Sequence, residues 1–343
     1  MRHLKKHIPK ILFAVISLAI TSCYTMGTVE IEVIKPAKIT IPQHINSVLI
    51  INNSLSFPSD TFKNEIQKGL FQLDTAATQL IAKQVNDIIN ESPRFDKSVL
   101  IKDIYFRQAK DLLQPIDWQN VNALCSKYNT DALVSLEAFG IIDTIMRLSY
   151  YDGYVYTSYK NLVLIANSMW RVYLNKEHRI LEKRIQRDTL YFDELSSKKE
   201  YLNAIKHQKA VNFFAEEIAL SISTKVADRI APFWLPVQRD FFNNGSNEMQ
   251  QAAIYAYADN WHGAALLWKE LTKSENRRLS AAACYNMALA CEVEGKLDIA
   301  LEWLEDSIMK YDTYSAHEYF KQILSRINES EKLDKQFGVV SGK

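Results

Sequence analysis

The sequence contains few of the residue types from which catalytic and metal-binding sites are built. Its 343 residues include nine glycines, which leave little material for phosphate-binding loops, and seven histidines. No P-loop, GxGxxG, GxSxG or HExxH motif occurs. Beyond the first ten residues the histidines lie far apart in the sequence, at His44, His178, His207, His262 and His317. We therefore expect no catalytic residues, no metal site and no cofactor.

Cysteine is also scarce, and its spacing argues against a disulfide framework or a zinc site. Only Cys23, Cys125, Cys284 and Cys291 occur, and none belongs to a CxxC motif. Cys284 and Cys291 lie on one face of a predicted helix, about 10 Å apart along its axis. A disulfide requires Cα atoms within about 7 Å of each other. We expect Cys125, Cys284 and Cys291 to be buried free thiols.

A strong net charge is missing as well. The chain has 41 basic and 40 acidic residues, and without residues 1–22, which hold four basic and no acidic residues, its net charge is −3. Nucleic-acid binding would have little electrostatic support at this charge, so we expect no nucleic-acid partner. A hydrophobic content of 48% is typical of a globular protein. The chain that remains is long enough for two domains.

The apolar run at residues 11–20 is too short to span a membrane. As a helix it would rise about 15 Å, whereas a bilayer core requires about 20 apolar residues. Basic residues precede the run and small residues follow it, which is the layout of a secretory signal. The exit sequence Ile20-Thr21-Ser22-Cys23 resembles the bacterial lipobox. The alternative is an ordinary signal peptide followed by an incidental cysteine.

The lipobox resemblance implies that residues 1–22 are a signal peptide and that Cys23 is acylated. Membrane lipid is then a partner through the acylated Cys23, since two or more acyl chains give stable anchoring. Tyr24, rather than an aspartate, follows the cysteine. By resemblance to the sorting rules of Gram-negative lipoproteins, this implies the outer membrane. No acidic cluster follows directly, so we expect the protein to face the periplasm.

The periodicity of apolar residues predicts both strands and helices. Alternation at residues 29–33 and a continuous apolar run at 47–51 are typical of strands. Apolar residues recur every three or four positions from 62 to 88, after Asp60 as helix N-cap, and from 199 to 230. Further strands are predicted at 99–104 and 131–139, and a helix is predicted to begin after Asp117. Asp152-Gly153 predicts a type I′ turn. The chain then continues as strands through 154–174 and 179–191, which makes an antiparallel meander.

Residues 281–308 resemble a tetratricopeptide repeat (TPR). The pattern requires small residues where two helices cross, a glycine in the turn and a large apolar residue in the second helix. Ala288, Ala300, Gly295 and Leu304 meet these requirements. The same pattern occurs 36 residues earlier with Ala252, Ala264 and Trp268, although Asp259 replaces the turn glycine. An unrelated helical bundle is the alternative.

These patterns predict an α+β fold. An N-terminal α/β domain with an antiparallel meander and long flanking helices is followed by an all-α TPR-like helical hairpin domain. APFWLP, at residues 231–236, is the expected joint. The predicted boundaries are a signal peptide at 1–22, an anchor linker and edge strand at 23–45, the α/β domain at 46–235, the TPR-like repeats at 246–328 and a flexible tail at 329–343.

Two short motifs add a resemblance to the predicted order of elements. ESPRF at 91–95 and APFW at 231–234 accompany the order strand, long helix, strand, helix and meander. The α/β part resembles the domain of curli-secretion and penicillin-binding-protein-activator lipoproteins. Over its full length, the chain resembles an uncharacterised family of Bacteroidota outer-membrane lipoproteins. This resemblance implies no particular active residues.

Our first functional hypothesis is a non-catalytic, lipid-anchored periplasmic adaptor. Its TPR-like repeats would bind an envelope protein in a groove that includes Tyr285, Leu289 and Glu292. Tyr154 and Tyr156 offer a second contact surface, although tyrosines also suit half-buried strand surfaces. The alternatives are a subunit of an oligomeric envelope or secretion assembly, and a glycan-binding protein or enzyme with a deep pocket behind the tyrosines. The identity of the partner and the oligomeric state stay open.

Overall fold

The computed structural model describes residues 25–54, 64–101, 114–193 and 195–338. The chain is an α+β protein, as predicted, and divides into two compact units. Of the described residues, the first unit contains 25–33 and 234–331, and the second contains 34–233 and 332–338. In chain order the elements are β1 (Met26–Lys35), β2 (Ser47–Asn52), α1 (Glu65–Glu91), β3 (Lys97–Ile101), α2 (Trp118–Tyr128), β4 (Ala132–Tyr151), β5 (Tyr156–Leu174), β6 (Arg179–Phe192), α3 (Lys198–Ala204), α4 (Gln208–Ile230), β7 (Phe233–Phe242), α5 (Asn247–Tyr257), α6 (Trp261–Leu271), α7 (Arg277–Val293), α8 (Leu297–Lys310) and α9 (Tyr314–Phe337).

The second unit is built around a mixed sheet with the strand order β3-β2-β4-β5-β6. β2 is parallel to β3 and β4, and β4, β5 and β6 form the predicted antiparallel meander. Every residue of β2 is buried, which explains its continuous apolar sequence. Val48 and Ile50 pack into the hydrophobic core beneath α1 and α4, while Leu49 and Ile51 pack into a second core beneath α2. The sheet is therefore covered by helices on both faces.

A β-bulge at Glu137 reverses which side chains of β4 face the main core. The pairing with β5 shifts between Leu136 and Ala138. Before the bulge, even-numbered residues such as Val134 contact that core, and after it odd-numbered residues such as Ile141 do so. Glu137 itself is fully buried and binds Arg171 and Tyr173. The buried carboxylate is therefore paired, as burial of a charge requires.

The helix predicted at 199–230 is divided into α3 and α4 in the structure. The interruption lies at Ile205, which is fully buried, and His207, which makes no side-chain cap for α4. α1 packs against this point, since a Cβ at Gly69 would lie 2.3 Å from the carbonyl oxygen of Ile205. The apolar period continues through the interruption, so the prediction of one long helix, which rested on that period, was wrong.

The hairpin between β4 and β5 also differs from its prediction. The paired residues closest to the turn are Tyr151 and Tyr156, which leaves a loop at 152–155 instead of a two-residue turn. Gly153 has a positive φ of 97°, but Asp152 has no positive φ, whereas a type I′ turn needs both. Asp152 instead accepts hydrogen bonds from the backbone N–H groups of Tyr154 and Val155, at 2.9 Å each.

Other local predictions are confirmed or lie outside the described residues. Asp117 caps α2 by accepting a 2.9 Å hydrogen bond from the Asn120 N–H. Asn64 caps α1 in the same way through the Gln67 N–H. The predicted cap at Asp60 and the end of the predicted strand at 102–104 lie outside the described residues.

The first unit combines a two-stranded sheet with five helices among its described residues. β1 pairs with β7, a strand that the sequence analysis did not predict because its partner lies about two hundred residues earlier. α5 to α8 pack consecutively, each against the next, and α9 adds Tyr319 and Ile323 to their core. Residues 246–328 are helical, as predicted, but the compact unit that contains them also includes β1 and β7. None of the described helices is long and apolar enough to cross a membrane.

The predicted flexible tail at 329–343 needs correction for its described part. α9 continues to Phe337, and its last residues belong to the second unit. There the buried Gln336 side chain accepts a hydrogen bond from the Ala37 N–H at 3.0 Å and donates one to the Ala37 carbonyl oxygen at 2.9 Å. The amide thus pairs with the backbone as a neighbouring strand would, which holds the end of the helix in place.

Candidate functional site

Residues 149–160, which we call the tyrosine ribbon, form the distal end of the β4–β5 hairpin. β5 pairs with β6 only from Leu162 onward, and β2 pairs only with residues 132–136 of β4. Among the described strands, the two halves of the ribbon therefore pair only with each other. Large side chains of the ribbon are exposed on both faces and at the turn: Tyr150, Tyr151, Tyr154, Val155, Tyr156 and Tyr159.

The turn of the ribbon is ordered by local contacts. The rings of Tyr151 and Tyr156 stack with their centroids 4.6 Å apart, and the Tyr151 hydroxyl donates to the Gly153 carbonyl oxygen at 2.9 Å. Hydrogen bonds from the backbone N–H groups of Val155 and Tyr154 lower the pKa of Asp152. The Asp152 carboxylate therefore remains charged and occupied with its own turn, which leaves the aromatic rings as the main outward-facing chemistry.

The exposure of these rings is the observation that marks the ribbon as a contact surface. Tyr154 is 93% exposed and Tyr156 is 77% exposed, so neither contributes to a core. A two-stranded ribbon is at best marginally stable by itself, and grouped exposed aromatic side chains on a soluble surface often mark binding sites. The predicted half-buried packing role does not apply to Tyr154 and Tyr156.

The structure places the other predicted partner-binding residues in the interior of the first unit. Tyr285, Leu289 and Glu292 on α7 are all buried. Tyr285 packs against Phe242 of β7 and Tyr319 of α9, with ring centroids 5.2 and 5.0 Å apart. The prediction that these three side chains line an open groove was wrong for Leu289 and Glu292, because β7 and α9 cover the face of α7 that carries them. Tyr285 is buried as well, although it borders a cavity of about 200 Å³ lined by residues of β7 and α9.

Glu292 is the centre of a buried ionic cluster, defined here as Glu292, Arg239, Arg326 and Tyr319. Arg239 donates to both carboxylate oxygens of Glu292, at 2.9 Å from Nε and 2.8 Å from Nη2. Arg326 donates at 2.7 Å and the Tyr319 hydroxyl at 2.6 Å. β7, α7 and α9 each contribute to the cluster, so it joins three elements of the first unit.

The charge state of the cluster follows from burial and its partners. Burial alone would raise the pKa of Glu292, but the hydrogen bonds and positive charge of Arg239 outweigh it and lower that pKa. Burial and the adjacent carboxylate raise the pKa of Tyr319 well above its ordinary value. Glu292 is therefore an anion and Tyr319 a neutral donor, which is a stable arrangement suited to structure more than to proton transfer.

The residues predicted to pack the repeats lie at the contacts between helices. Ala252 and Ala264 belong to α5 and α6, and Ala288 and Ala300 belong to α7 and α8. All four are fully buried, together with Trp268 and Leu304. Gly295 adopts a positive φ of 73° in the turn between α7 and α8, a conformation that favours glycine. Asp259 adopts a φ of 55° between α5 and α6 in the weaker copy.

The cysteines supply no described reactive site. Cys125, Cys284 and Cys291 are buried free thiols. Burial raises the pKa of Cys125 and Cys284 to about 11 and also raises that of Cys291. Within the described ranges, no group of three or more metal-ligating side chains comes together. Cys23, the predicted acylation site, lies outside the described residues.

Two family models match the sequence. The model described as "Domain of unknown function (DUF8603)" matches residues 45–242, which is more than half of the chain. The chain belongs to the DUF8603 family. A second model, "Domain of unknown function (DUF6340)", matches residues 250–330. No curated protein matches the sequence.

Solved structures give weak similarities to this DUF8603 protein. A chain of the PelC dodecamer from Paraburkholderia phytofirmans is 7% identical, with 60% of this chain and 99% of that chain covered and a TM-score of 0.25. The hypothetical protein CT253 from Chlamydia trachomatis is 11% identical, with 53% and 94% covered and a TM-score of 0.27. A minor lipoprotein from Acinetobacter baumannii is 10% identical, with 53% and 96% covered and a TM-score of 0.17.

Sequence reasoning identified part of this site in the DUF8603 region. It selected Tyr154 and Tyr156 from the run of tyrosines, and the structure adds Tyr150 and Tyr151 as exposed neighbours. It did not predict the partners of Glu292, since Arg239 lies 53 residues earlier and Arg326 lies 34 residues later. The sequence did contain one signal: Glu292 lies on the same helix face as the small residue Ala288, so its burial, and with it the need for a partner, could have been predicted.

Proposed function

We propose that this DUF8603 protein is a non-catalytic scaffold, anchored by lipid to the periplasmic face of the outer membrane. In this proposal, Cys23 carries the lipid and the tyrosine ribbon contacts an envelope protein. The TPR-like helical hairpins act as a structural body, because the side chains expected in their groove are buried. The observation that carries the proposal is the exposure of Tyr154 and Tyr156 at the end of a ribbon that pairs with no other described strand.

The lipid anchor is tested by the substitution Cys23→Ala. Wild-type protein should incorporate a fatty-acid analogue and sediment with membranes, whereas the variant should remain unlabelled and leave the membrane fraction. Cys284→Ala is the control, since Cys284 is a buried thiol that should not affect labelling. Mass spectrometry of the native protein provides an independent measurement. A bare Cys23 thiol, with residues 1–22 still attached, would reject the anchor.

The contact surface is tested by site-specific photo-crosslinking in intact envelopes. A crosslinking residue at Tyr154 or Tyr156 should form an adduct with the same envelope protein. The control position is Tyr314 on α9, which is 80% exposed but lies outside the ribbon. Substituting Tyr154→Ser together with Tyr156→Ser should weaken partner recovery by at least about 30-fold, because aromatic hot spots contribute about 2 kcal/mol or more. Equal crosslinking at Tyr314, or none in the ribbon, would contradict the proposal.

A subunit of an oligomeric assembly is the second candidate function. The observation in its favour is the length of the unpaired edge of β6, Arg179–Phe192, among the described strands. Lys183, Arg184 and Arg187 lie along this strand, and charged side chains commonly oppose edge-to-edge pairing. Adducts between two copies of this chain, with an oligomeric mass after solubilisation, would favour this candidate over the scaffold.

A glycan-binding protein or an enzyme is less well supported by the geometry. That hypothesis predicts a deep pocket behind the tyrosines, whereas the ribbon has only two strands and exposes tyrosines on both faces. Recovery of a polysaccharide adduct from Tyr154 or Tyr156, with no protein adduct, would nevertheless favour glycan binding.

A further inference from the structure

A cavity of about 300 Å³ lies in the second unit between α1 and the ends of β2 and β3. Its described lining consists of Asn52 from β2, Leu100 from β3, and Ala76, Gln79, Leu80, Ala82 and Lys83 from α1. Small-molecule sites in proteins begin at about this volume. The cavity is separate from the tyrosine ribbon, which lies at residues 149–160 of β4 and β5.

The topology of the sheet places this cavity where ligands commonly bind. β2 is the central parallel strand, and the chain leaves it to form α1 on one face of the sheet before returning as β3. From β3 the chain forms α2 on the opposite face before returning as β4 on the other side of β2. The order of strands thus reverses beside β2. In open α/β sheets, ligands bind beside the carboxyl ends of the strands. Asn52 is the last residue of β2 and Leu100 lies next to the end of β3, so the cavity lies at that edge of the sheet, although the reversal itself is between β2 and β4.

Among the described residues, Asn52 presents a hydrogen-bond donor without a partner at this position. Val48 and Ile50 face α1, so the alternation along β2 directs the Asn52 side chain to the same face. Its Oδ1 accepts hydrogen bonds from the Ser54 N–H at 3.2 Å and the Ser54 hydroxyl at 2.7 Å, which orients the amide. Asn52 is 1% exposed, and its Nδ2 has no partner within the described part of the chain. A buried donor without a partner destabilises the folded state, and a ligand acceptor would remove that penalty.

One face of α1 supplies the rest of the lining. Ala76, Gln79, Leu80 and Lys83 are spaced as i, i+3, i+4 and i+7, so they share one face of the helix. Ala76, Leu80 and Leu100 provide apolar walls, and the small side chain of Ala76 leaves room between them. Lys83 is an exposed lysine at the rim that pairs with Asp87 at 2.8 Å. Exposed pairs of this kind contribute little, so the ammonium can exchange Asp87 for another anion at small cost.

We propose that this cavity binds a small amphiphilic carboxylate, with its apolar chain between Ala76, Leu80 and Leu100 and its carboxylate between Asn52 Nδ2 and Lys83. The carboxylate accepts hydrogen bonds from both nitrogen donors, and its negative charge lies beside the positive charge of Lys83. This site is independent of the scaffold proposal, because it uses different strands and no residue of the tyrosine ribbon.

The test uses hexanoate as the probe, and binding is measured by NMR titration of the chain that comprises residues 23–343. Wild-type protein should bind hexanoate at millimolar or lower concentration. Lys83→Met should weaken hexanoate binding up to about fivefold, because an exposed ion pair contributes at most about 1 kcal/mol. The matched control is Lys68→Met, since Lys68 is also an exposed lysine of α1 paired with a carboxylate, Glu65, but lies outside the cavity. Lys68→Met should leave hexanoate binding unchanged.

Two further measurements decide between this site and unspecific binding. Ala76→Phe should fill the cavity and abolish hexanoate binding, with the folded state checked from the NMR spectrum. The uncharged probe 1-hexanol should bind wild-type protein more weakly than hexanoate and should not respond to Lys83→Met. Absence of hexanoate binding at 10 mM, or equal losses in Lys83→Met and Lys68→Met, would overturn the proposal. Both outcomes leave the crosslinking test of the tyrosine ribbon unaffected.

Discussion

Replacing Glu292 with alanine lowers the free energy of unfolding by about 3–5 kcal/mol, which is the expected effect of removing one partner from a buried ion pair. Arg239 and Arg326 would each lose the carboxylate that they contact at 2.7–2.9 Å, and both would remain largely buried. The Tyr319 hydroxyl would lose its acceptor at the same time. The loss is large because the remaining charges cannot regain their hydration in the interior.

Urea unfolding at pH 7, followed by circular dichroism, measures this loss. Glu292→Gln should have a smaller effect than Glu292→Ala, since the amide oxygen still accepts hydrogen bonds although the charge is gone. Glu294→Ala is the matched control, because Glu294 lies two residues away and forms an exposed pair with Lys296. That control should change stability by less than about 1 kcal/mol. An equally small change for Glu292→Ala would show that the cluster does not stabilise the first unit.

Replacing Asp74 with asparagine raises the stability of the protein at neutral pH. Burial raises the pKa of Asp74 from 3.8 to about 6. Since the folded-state pKa lies above the unfolded value, the folded protein holds this proton more tightly. Stability from this group is fully present below about pH 4 and is lost as the pH rises to about 6. A shift of about two units corresponds to about 3 kcal/mol at most, so Asp74→Asn should recover about 2–3 kcal/mol at pH 7.5.

The pH dependence separates this effect from a general change in helix stability. Unfolding of wild type and Asp74→Asn should be compared at pH 4 and pH 7.5, and the gain should nearly vanish at pH 4. Asp87→Asn is the control on the same helix, since Asp87 is exposed and pairs with Lys83. Its effect should be small and similar at both pH values. A gain for Asp74→Asn that is equal at both pH values would contradict the assigned cause.

Strong local patterns predicted individual elements well. β2 is a continuous apolar run and is fully buried. Asp117 is an N-cap residue type placed before an apolar stripe, and it caps α2. The meander was predicted from an alternating strand at 131–139 and from turn residues between the strands that follow, and β4, β5 and β6 pair in that order. In each case the information lies within a few neighbouring residues, so it can be read without knowledge of the fold.

Predictions that depended on distant neighbours failed or were incomplete. The interruption between α3 and α4 lies where Gly69, more than a hundred residues earlier, closely approaches Ile205. β7 forms because β1 is available as its partner, and Gln336 is buried because Ala37 offers it backbone groups. None of these contacts has a local signal, since a residue's partners across the fold do not affect the pattern of its own segment.

The candidate site shows the same division. Tyr154 and Tyr156 could be selected as surface candidates because a tyrosine-rich hairpin is visible in the sequence, and their exposure supports that choice. Glu292 and Tyr285 were assigned to a groove because a helix carries them at helical spacing, yet β7 and α9 cover that face. Amphipathic periodicity shows that a helix has a face to bury, but not how many of its faces are covered.

The sequence by itself determined the α+β class, the buried central strand and the meander, because these follow from composition and short-range patterns. It also showed that common catalytic motifs are absent from the sequence. It also provides the basis for expecting an acylated Cys23. Only the tertiary structure decided that the tyrosine ribbon pairs with no other described strand, that Glu292 is a buried, paired anion, and that Asn52 ends a central strand beside a cavity. The physical reason is that the burial, exposure and pairing of a residue depend on its neighbours in space. Those neighbours come from distant parts of the sequence, so a short segment does not reveal them.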